Sequence, residues 1–180
     1  GIEVITSDNI AITTFLPPIP DGVIELFYDD DSFEGEFNAG GNNYSAVSFS
    51  PGPENQFLYM IKWYQSESGG AFYINIWEDD NGRPADTTIF SALQVSGNEI
   101  GWNQKILNSE NISFSNEFWI GIKEFSSSQP FGLDTTLISG YSFQREGENG
   151  EWVPIEGNLA IRAYLSSEPL SITSSEIPFN

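Results

Sequence analysis

Hydrophobic and polar residues alternate with a period of two along most of this chain. The segment FWIGIK at 118–123, for example, alternates Phe, Ile and Ile with Trp, Gly and Lys. This pattern is typical of a β-strand with one buried face. Segments of this kind, rich in β-branched and aromatic residues and bounded by Gly, Pro, Asn or Ser, are 23–28, 44–50, 56–64, 71–77, 87–95, 102–107, 117–123, 140–145 and 158–165.

The alternation also predicts which side chains face the core. We expect these to be the odd-numbered residues of 57–63, the even-numbered residues of 118–122 and the odd-numbered residues of 159–163. No stretch carries a helical apolar stripe with caps, and the strand segments follow one another at short intervals. The sequence therefore predicts an all-β fold, a two-sheet antiparallel β-sandwich that is jelly-roll-like.

Composition changes at both ends of the predicted sandwich. Three prolines fall within 17–20, which predicts that residues 1–22 are an N-terminal linker or peripheral strand. Residues 166–180 are rich in Ser and punctuated by Pro, which is typical of a C-terminal linker. We therefore expect one β-sandwich domain at 23–165, excised from a longer chain.

Charge and residue usage exclude several classes of function. The 180 residues include 26 acidic and 6 basic ones, for a net charge of −20, which disfavours nucleic acid and anionic lipid as partners. No apolar run approaches the roughly 18–20 residues of a membrane span, so we expect no membrane insertion. Cysteine and histidine are absent, which removes disulfides, the usual general base and the commonest zinc ligand. A surface dominated by acids, Ser, Asn and Thr favours an extracellular or cell-surface location.

Acidic residues that could bind a hard cation cluster in two segments, and Asp134 near a loop is a third candidate. Ca²⁺ takes about six to eight oxygen ligands and is well served by turns, so calcium is the possible cofactor. Neither segment has the spacing of a helix-loop-helix calcium loop, and in so acidic a chain a solvated loop is the alternative interpretation. The candidate metal ligands are Asp29, Asp30, Asp31 and Glu34 in the first segment, and Asp79, Asp80 and Asp86 in the second.

Aromatic side chains offer a second chemistry, because an exposed ring can stack on a sugar. Trp77 shares a predicted strand face with Tyr73 and adjoins the second acidic segment, so we expect an exposed platform there. Tyr141 and Trp152 complete the candidate ligand-binding residues. The alternative is that these rings pack in the core or across strands.

A catalytic function has little support in the sequence. A pair of carboxylates could cleave a glycosidic bond, but 26 acids single out no pair. There is no Gly-x-Ser-x-Gly motif, phosphate-binding loop or metal-binding histidine. We therefore expect that the domain is not an enzyme.

Several segments together resemble a known type of domain, the jelly-roll β-sandwich accessory modules of secreted bacterial surface proteins and proteases. They are ELFYDD at 25–30, YSAVSF at 44–49, IWEDDNGRP at 76–84, GWN at 101–103, FWIGI at 118–122, GLD at 132–134, GYS at 140–142 and NLAIRA at 158–163. The ending SEIPFN at 175–180 resembles the linker that precedes the C-terminal sorting domain of proteins exported by the type IX secretion system. The resemblance implies export and a parent chain with other domains, and it carries over no catalytic residue.

Two functional hypotheses follow. The first is a non-catalytic binding or adhesion module of a secreted multidomain bacterial protein, which engages a glycan or a cell-surface partner and is stabilised by Ca²⁺. The alternative is a structural spacer or stabilising accessory domain of a secreted protease or other hydrolase.

Overall fold

Strands joined by turns make up nearly all of the structure, a computed structural model that describes residues 18–94, 98–125 and 130–170. A short 3₁₀ helix lies at Asn108–Glu110, and no helix in these ranges is long and apolar enough to cross a membrane. The strands are β1 (Ile24–Leu26), β2 (Gly35–Phe37), β3 (Tyr44–Phe49), β4 (Phe57–Gln65), β5 (Phe72–Asp79), β6 (Pro84–Gln94), β7 (Gly101–Ile106), β8 (Phe118–Glu124), β9 (Phe131–Asp134), β10 (Ser142–Arg145), β11 (Val153–Pro154), β12 (Asn158–Leu159) and β13 (Ile161–Ser166).

The strands form two antiparallel sheets. Sheet A has the order β1-β13-β4-β9-β12, with β2 paired to β9 and β7 paired to β4. Sheet B has the order β11-β10-β3-β8-β5-β6. Most neighbours in each sheet are not consecutive in the chain, so connections cross repeatedly from one sheet to the other. The predicted two-sheet antiparallel sandwich is confirmed.

The core lies between the two sheets, and strand alternation fills it. Phe118, Ile120 and Ile122 of β8 form one cluster with side chains from sheet A, including Ile61 and Trp63 of β4. All five are at most 3% exposed. Burial of each such side chain contributes roughly 1.5–3 kcal/mol, so this layer holds the sheets together. The predicted faces of 118–122 and 159–163 are therefore confirmed.

The predicted alternation along β4 breaks at Tyr59. Leu58 pairs with Leu165 and Met60 pairs with Tyr164, so Tyr59 is one extra residue on β4, a β-bulge. The bulge places Leu58 in the core and leaves Tyr59 in a small separate cluster with Met60 and Tyr164. The expected face of β4 is therefore wrong at Phe57 and Tyr59, which are outside the core cluster, and right at Ile61 and Trp63.

Candidate functional site

A row of large side chains crosses the outer face of sheet B. Tyr73 of β5 pairs with Lys123 of β8, Lys123 pairs with Tyr44 of β3, and Tyr44 pairs with Arg145 of β10. Directly paired residues of an antiparallel sheet project on the same side, so these four side chains form one ladder. Three of the four are aromatic or basic residues that the sequence-based site prediction did not include.

Small residues occupy the next row of the same face. Asn75 of β5 pairs with Gly121 of β8, which pairs with Ala46 of β3. A Cβ on Gly121 would lie 2.0 Å from the backbone oxygen of Ser45, so only glycine allows β3 and β8 to approach this closely. Ala46 is fully buried in a cluster with Trp77 and Trp152, so of this row only Asn75 lines the groove described next.

Asn75 and Trp77 form the floor of an open groove of about 880 Å³. One side is formed by β6, and the other by the turn that follows β10. The groove is lined by Tyr44, Tyr73, Asn75, Trp77, Asp86, Thr87, Thr88, Ser91, Lys123, Arg145, Glu148, Asn149 and Gly150. We call these residues the sheet B groove. Hydroxyl, amide, charged and aromatic groups converge there in the mixture that small polar ligands require.

Trp77 contributes to the floor of the groove rather than to an exposed platform. Its side chain is 1% exposed, so the expectation of an exposed ring is wrong. The reason is a second cluster on the outer face of sheet B, in which the ring centre of Trp77 lies 5.6 Å from that of Trp152 and 6.3 Å from that of Tyr44. Tyr73 is half-buried and packs against Phe125 with ring centres 5.1 Å apart.

The other two predicted ligand-binding aromatics serve different contacts. Trp152 is 6% exposed and packs on Trp77 in the outer cluster, but it does not line the groove. Tyr141 is 45% exposed, but it does not line the groove; it stacks on Tyr28 with ring centres 4.6 Å apart. Burial, with the neighbouring Tyr141 and Glu117, raises the pKa of Tyr28 to about 12. The structure thus brings Tyr73, Trp77 and Trp152 together and leaves Tyr141 apart.

Lys123 and Glu148 form an ion pair across the groove. The Lys123 Nζ lies 2.7 Å from Glu148 Oε1 and 5.1 Å from the centre of the Tyr44 ring. The hydrogen bond with Glu148 raises the pKa of Lys123, and the same bond lowers the pKa of Glu148. The Glu148 side chain is 70% exposed, so this pair contributes little to stability and can open toward a ligand.

The first acidic segment is organised around an arginine. Arg162 of β13 donates to both carboxylate oxygens of buried Asp29, to Asp31 Oδ1 at 2.7 Å and to Glu25 Oε1 at 3.1 Å. Burial opposes the charge on Arg162, but the hydrogen bonds and charges of these acids dominate and raise its pKa. Tyr164 also donates to Glu25. A guanidinium therefore stands among the carboxylates that the sequence analysis assigned to calcium.

The remaining acids of this segment accept hydrogen bonds from nearby turns. Asp30 accepts from the amide of Ser32, and Glu34 accepts from the Thr135 amide at 3.0 Å. The Ser32 hydroxyl lies 2.8 Å from both carboxylates and donates its one hydrogen to either of them. Fully buried Asp134 accepts from the amide of Asp30. Burial would raise the pKa of Asp134, but hydrogen bonds from Thr136 and Asp30 outweigh it and lower that pKa.

The second acidic segment does not converge on one point. Asp79 accepts a hydrogen bond from the Trp119 indole at 2.8 Å and another from the Gly82 amide at 3.0 Å, which fixes the β5–β6 hairpin. Asp80 is exposed in that hairpin, and Asp86 is exposed on β6, where it lines the groove. Within residues 18–94, 98–125 and 130–170, no group of three or more acidic side chains has the arrangement of a metal site. Calcium binding stays a prediction.

The sheet B groove contains residues that the sequence analysis missed. Lys123 and Asn75 lie on the outward faces of predicted strands, so the alternation could have found them. Arg145 and Glu148 could not be found in this way, because their position depends on which strand lies beside β3.

The protein is thus an all-β sandwich that carries an open groove, lined by polar and aromatic residues, on the outer face of one sheet. No family profile matches the sequence, and no curated protein matches it. The crystal structure of the cysteine protease and lectin-like domains of Cwp84, a surface layer associated protein of Clostridium difficile, is similar in fold. The TM-score is 0.65 at 13% identity, covering 84% of this chain and 37% of that one.

A second structure, of clostridial cysteine protease Cwp84 after propeptide cleavage, aligns with a TM-score of 0.64 at 12% identity. The match covers 84% of this chain and 42% of that chain, so this chain spans less than half the length of either structure. At these identities the likeness shows the fold alone, a two-sheet β-sandwich.

Proposed function

We propose that this domain is a non-catalytic accessory module of a secreted, surface-associated bacterial protein, and that it binds a glycan in the sheet B groove. The observation that carries the proposal is the groove itself. It is about 880 Å³ in volume and open along one side, and it combines aromatic rings with hydroxyl, amide and charged groups. Saccharides present the same two kinds of surface, apolar ring faces and a rim of hydroxyls.

The floor of the groove supports binding rather than simple packing. Asn75 is only 3% exposed, yet it lines the groove, so its side-chain amide lies at the floor. A ligand hydroxyl that reached the floor would meet this amide, while Tyr73 supplies a half-buried ring in the lining of the groove.

The structural neighbours support the accessory role. The Cwp84 structures contain a cysteine protease, and one of them is described as including a lectin-like domain. This chain covers only 37% and 42% of those chains and is a β-sandwich, so we assign the likeness to the lectin-like part. A parent chain with other domains and an extracellular or cell-surface location follow from this assignment. The predicted type IX linker at 175–180 lies outside the described residues and stays a prediction.

The same neighbours favour the second candidate, a stabilising spacer of a secreted protease. In that case the isolated domain binds nothing, and deleting it from the parent chain lowers stability or export. The two candidates differ in what the groove does, so a binding experiment separates them.

The test is a glycan array probed with the purified domain and two matched variants. Tyr73→Ala removes a half-buried ring from the sheet B groove, and Tyr64→Ala removes a half-buried ring from the outer face of sheet A. Tyr64 packs on Phe33 and Trp102, as Tyr73 packs on Phe125, so the two truncations are comparable. We expect binding by the wild type and by Tyr64→Ala, and loss with Tyr73→Ala. Absence of binding to every glycan would overturn the proposal.

A further inference from the structure

The sheet B groove holds a disproportionate share of the positive charge of this chain. Only 6 of the 180 residues are basic, and two of them, Lys123 and Arg145, line the groove. Two acids, Asp86 and Glu148, also line it. In a protein of net charge −20, a surface on which bases balance acids is a local exception.

Arg145 lies against two aromatic rings and forms no ion pair with any residue that the structure describes. It is 6% exposed, with its guanidinium carbon 4.4 Å from the ring centre of Tyr44 and 4.8 Å from that of Trp152. Its Nε is buried and without a hydrogen-bond partner, and among the described residues its guanidinium forms no ion pair. Glu148 is close enough for Arg145 to help lower its pKa, but its ion pair is with Lys123.

Arg162 has a similar aromatic environment to Arg145 but is paired with carboxylates. Its guanidinium carbon also lies against two rings, at 4.9 Å from the centre of Phe27 and 4.2 Å from that of Trp102. Arg162 binds the carboxylates of Glu25, Asp29 and Asp31, however. Arg162 and Arg145 are thus both packed against two aromatic rings. Arg162 is paired with carboxylates, whereas Arg145 lines the groove and forms no ion pair with the described residues.

We propose that the sheet B groove binds an acidic saccharide, one that carries a carboxylate, sulfate or phosphate, with Arg145 as the residue that takes the anionic group. Lys123 provides a second cation once Glu148 is displaced, and the buried amide of Asn75 takes a hydroxyl of the same sugar. This inference rests on the proposed glycan-binding function and specifies its substrate class. A planar guanidinium fixed by rings is suited to an anion, because it presents paired N–H donors with little loss of side-chain freedom.

The experiment is a glycan array on which each neutral saccharide is printed beside its uronate, sialylated, sulfated or phosphorylated counterpart. It is run at about 0.15 M salt, where a screening length of about 8 Å weakens repulsion from distant acids. Binding to the acidic saccharides with little binding to their neutral counterparts supports the inference. Comparison of the uronate, sialylated, sulfated and phosphorylated forms then identifies the preferred anionic group. Equal or stronger binding to the neutral members overturns the inference and leaves the proposed function intact. Binding to nothing overturns both.

Charge variants assign the contact to residues. For the best acidic glycan, Arg145→Gln and Lys123→Gln should each weaken binding by about ten-fold or more, the range of a hydrogen bond to a charged group. Lys62→Gln is the matched control, because Lys62 lies 5.0 Å from the centre of the Tyr164 ring on sheet A, as Lys123 lies 5.1 Å from that of Tyr44. Because Arg145 packs on two rings, Arg145→Gln could fail to fold. In that case the affinity of Lys123→Gln for the acidic glycan tests the inference. Equal affinity of Lys123→Gln and Lys62→Gln would then contradict the inference.

Discussion

Replacing Arg162 with leucine should lower the free energy of unfolding by about 3–5 kcal/mol, the usual cost of removing one partner from a buried ion pair. The structure places most of this cost on Asp29, whose side chain is 0% exposed and accepts two hydrogen bonds from Arg162. The Asp31 side chain is 67% exposed, so its pair with Arg162 contributes at most about 1 kcal/mol. Glu25, at 31% exposed, lies between these limits.

Urea unfolding at neutral pH measures this loss. Arg83→Leu is the matched control, because Arg83 is exposed in the β5–β6 hairpin and forms no ion pair among the described residues. Asp31→Asn reports the exposed pair alone and should cost about 1 kcal/mol or less. Adding Asp29→Asn to Arg162→Leu should recover part of the stability, because it removes the unpaired buried charge.

The result that refutes this reasoning is a small loss. If Arg162→Leu and Arg83→Leu change the free energy of unfolding equally, Asp29 carries no buried charge that needs Arg162. If the added Asp29→Asn lowers stability further, the cost of Arg162→Leu comes from lost packing on Phe27 and Trp102 rather than from the ion pair.

Three further predictions concern packing, pH and calcium. Gly121→Ala should destabilise the fold by about 1–3 kcal/mol, because its Cβ would meet the Ser45 backbone oxygen; Gly35→Ala, whose Cβ has nothing closer than 3.9 Å, should cost less, and equal melting temperatures would contradict this. The lowered pKa of Asp134 means that its contribution is present above the ordinary value of 3.8 and is lost as pH falls through the folded-state pKa. Asp134→Asn should therefore destabilise at neutral pH and converge with the wild type in acid urea titrations, whereas a constant difference would argue against it. The predicted calcium site should raise the melting temperature in excess Ca²⁺ relative to excess chelator, and an unchanged melting temperature would contradict it.

The fold followed from the sequence wherever alternation was long and regular. Segments 44–50, 71–77 and 117–123 became β3, β5 and β8 within about two residues, as strand patterning allows. The short strands β2, β9 and β11 were missed, because two to four residues give no measurable period. Tyr59 shows a second limit, since a bulge on one strand depends on the register of its partner.

The site was harder to predict because it depends on strands far apart in the chain. Residue spacing suggested that Trp77 and Tyr73 share a face, which is correct, but burial of Trp77 comes from Trp152, 75 positions later. The acidic segment at 29–34 was visible as a run of carboxylates. The ion pairs of this segment with Arg162 were not visible in the sequence, because they depend on the pairing of β1 with β13, two strands at opposite ends of the domain sequence.

The central claim is that the sheet B groove binds a saccharide, and nuclear magnetic resonance mapping tests it most directly. The best glycan from the array is titrated into isotope-labelled domain, and amide shifts are followed residue by residue. We predict that perturbed amides cluster at Tyr73, Asn75, Lys123, Arg145 and Glu148. Perturbations confined to sheet A around Glu34 and Tyr64, or none at saturating glycan, would contradict the claim.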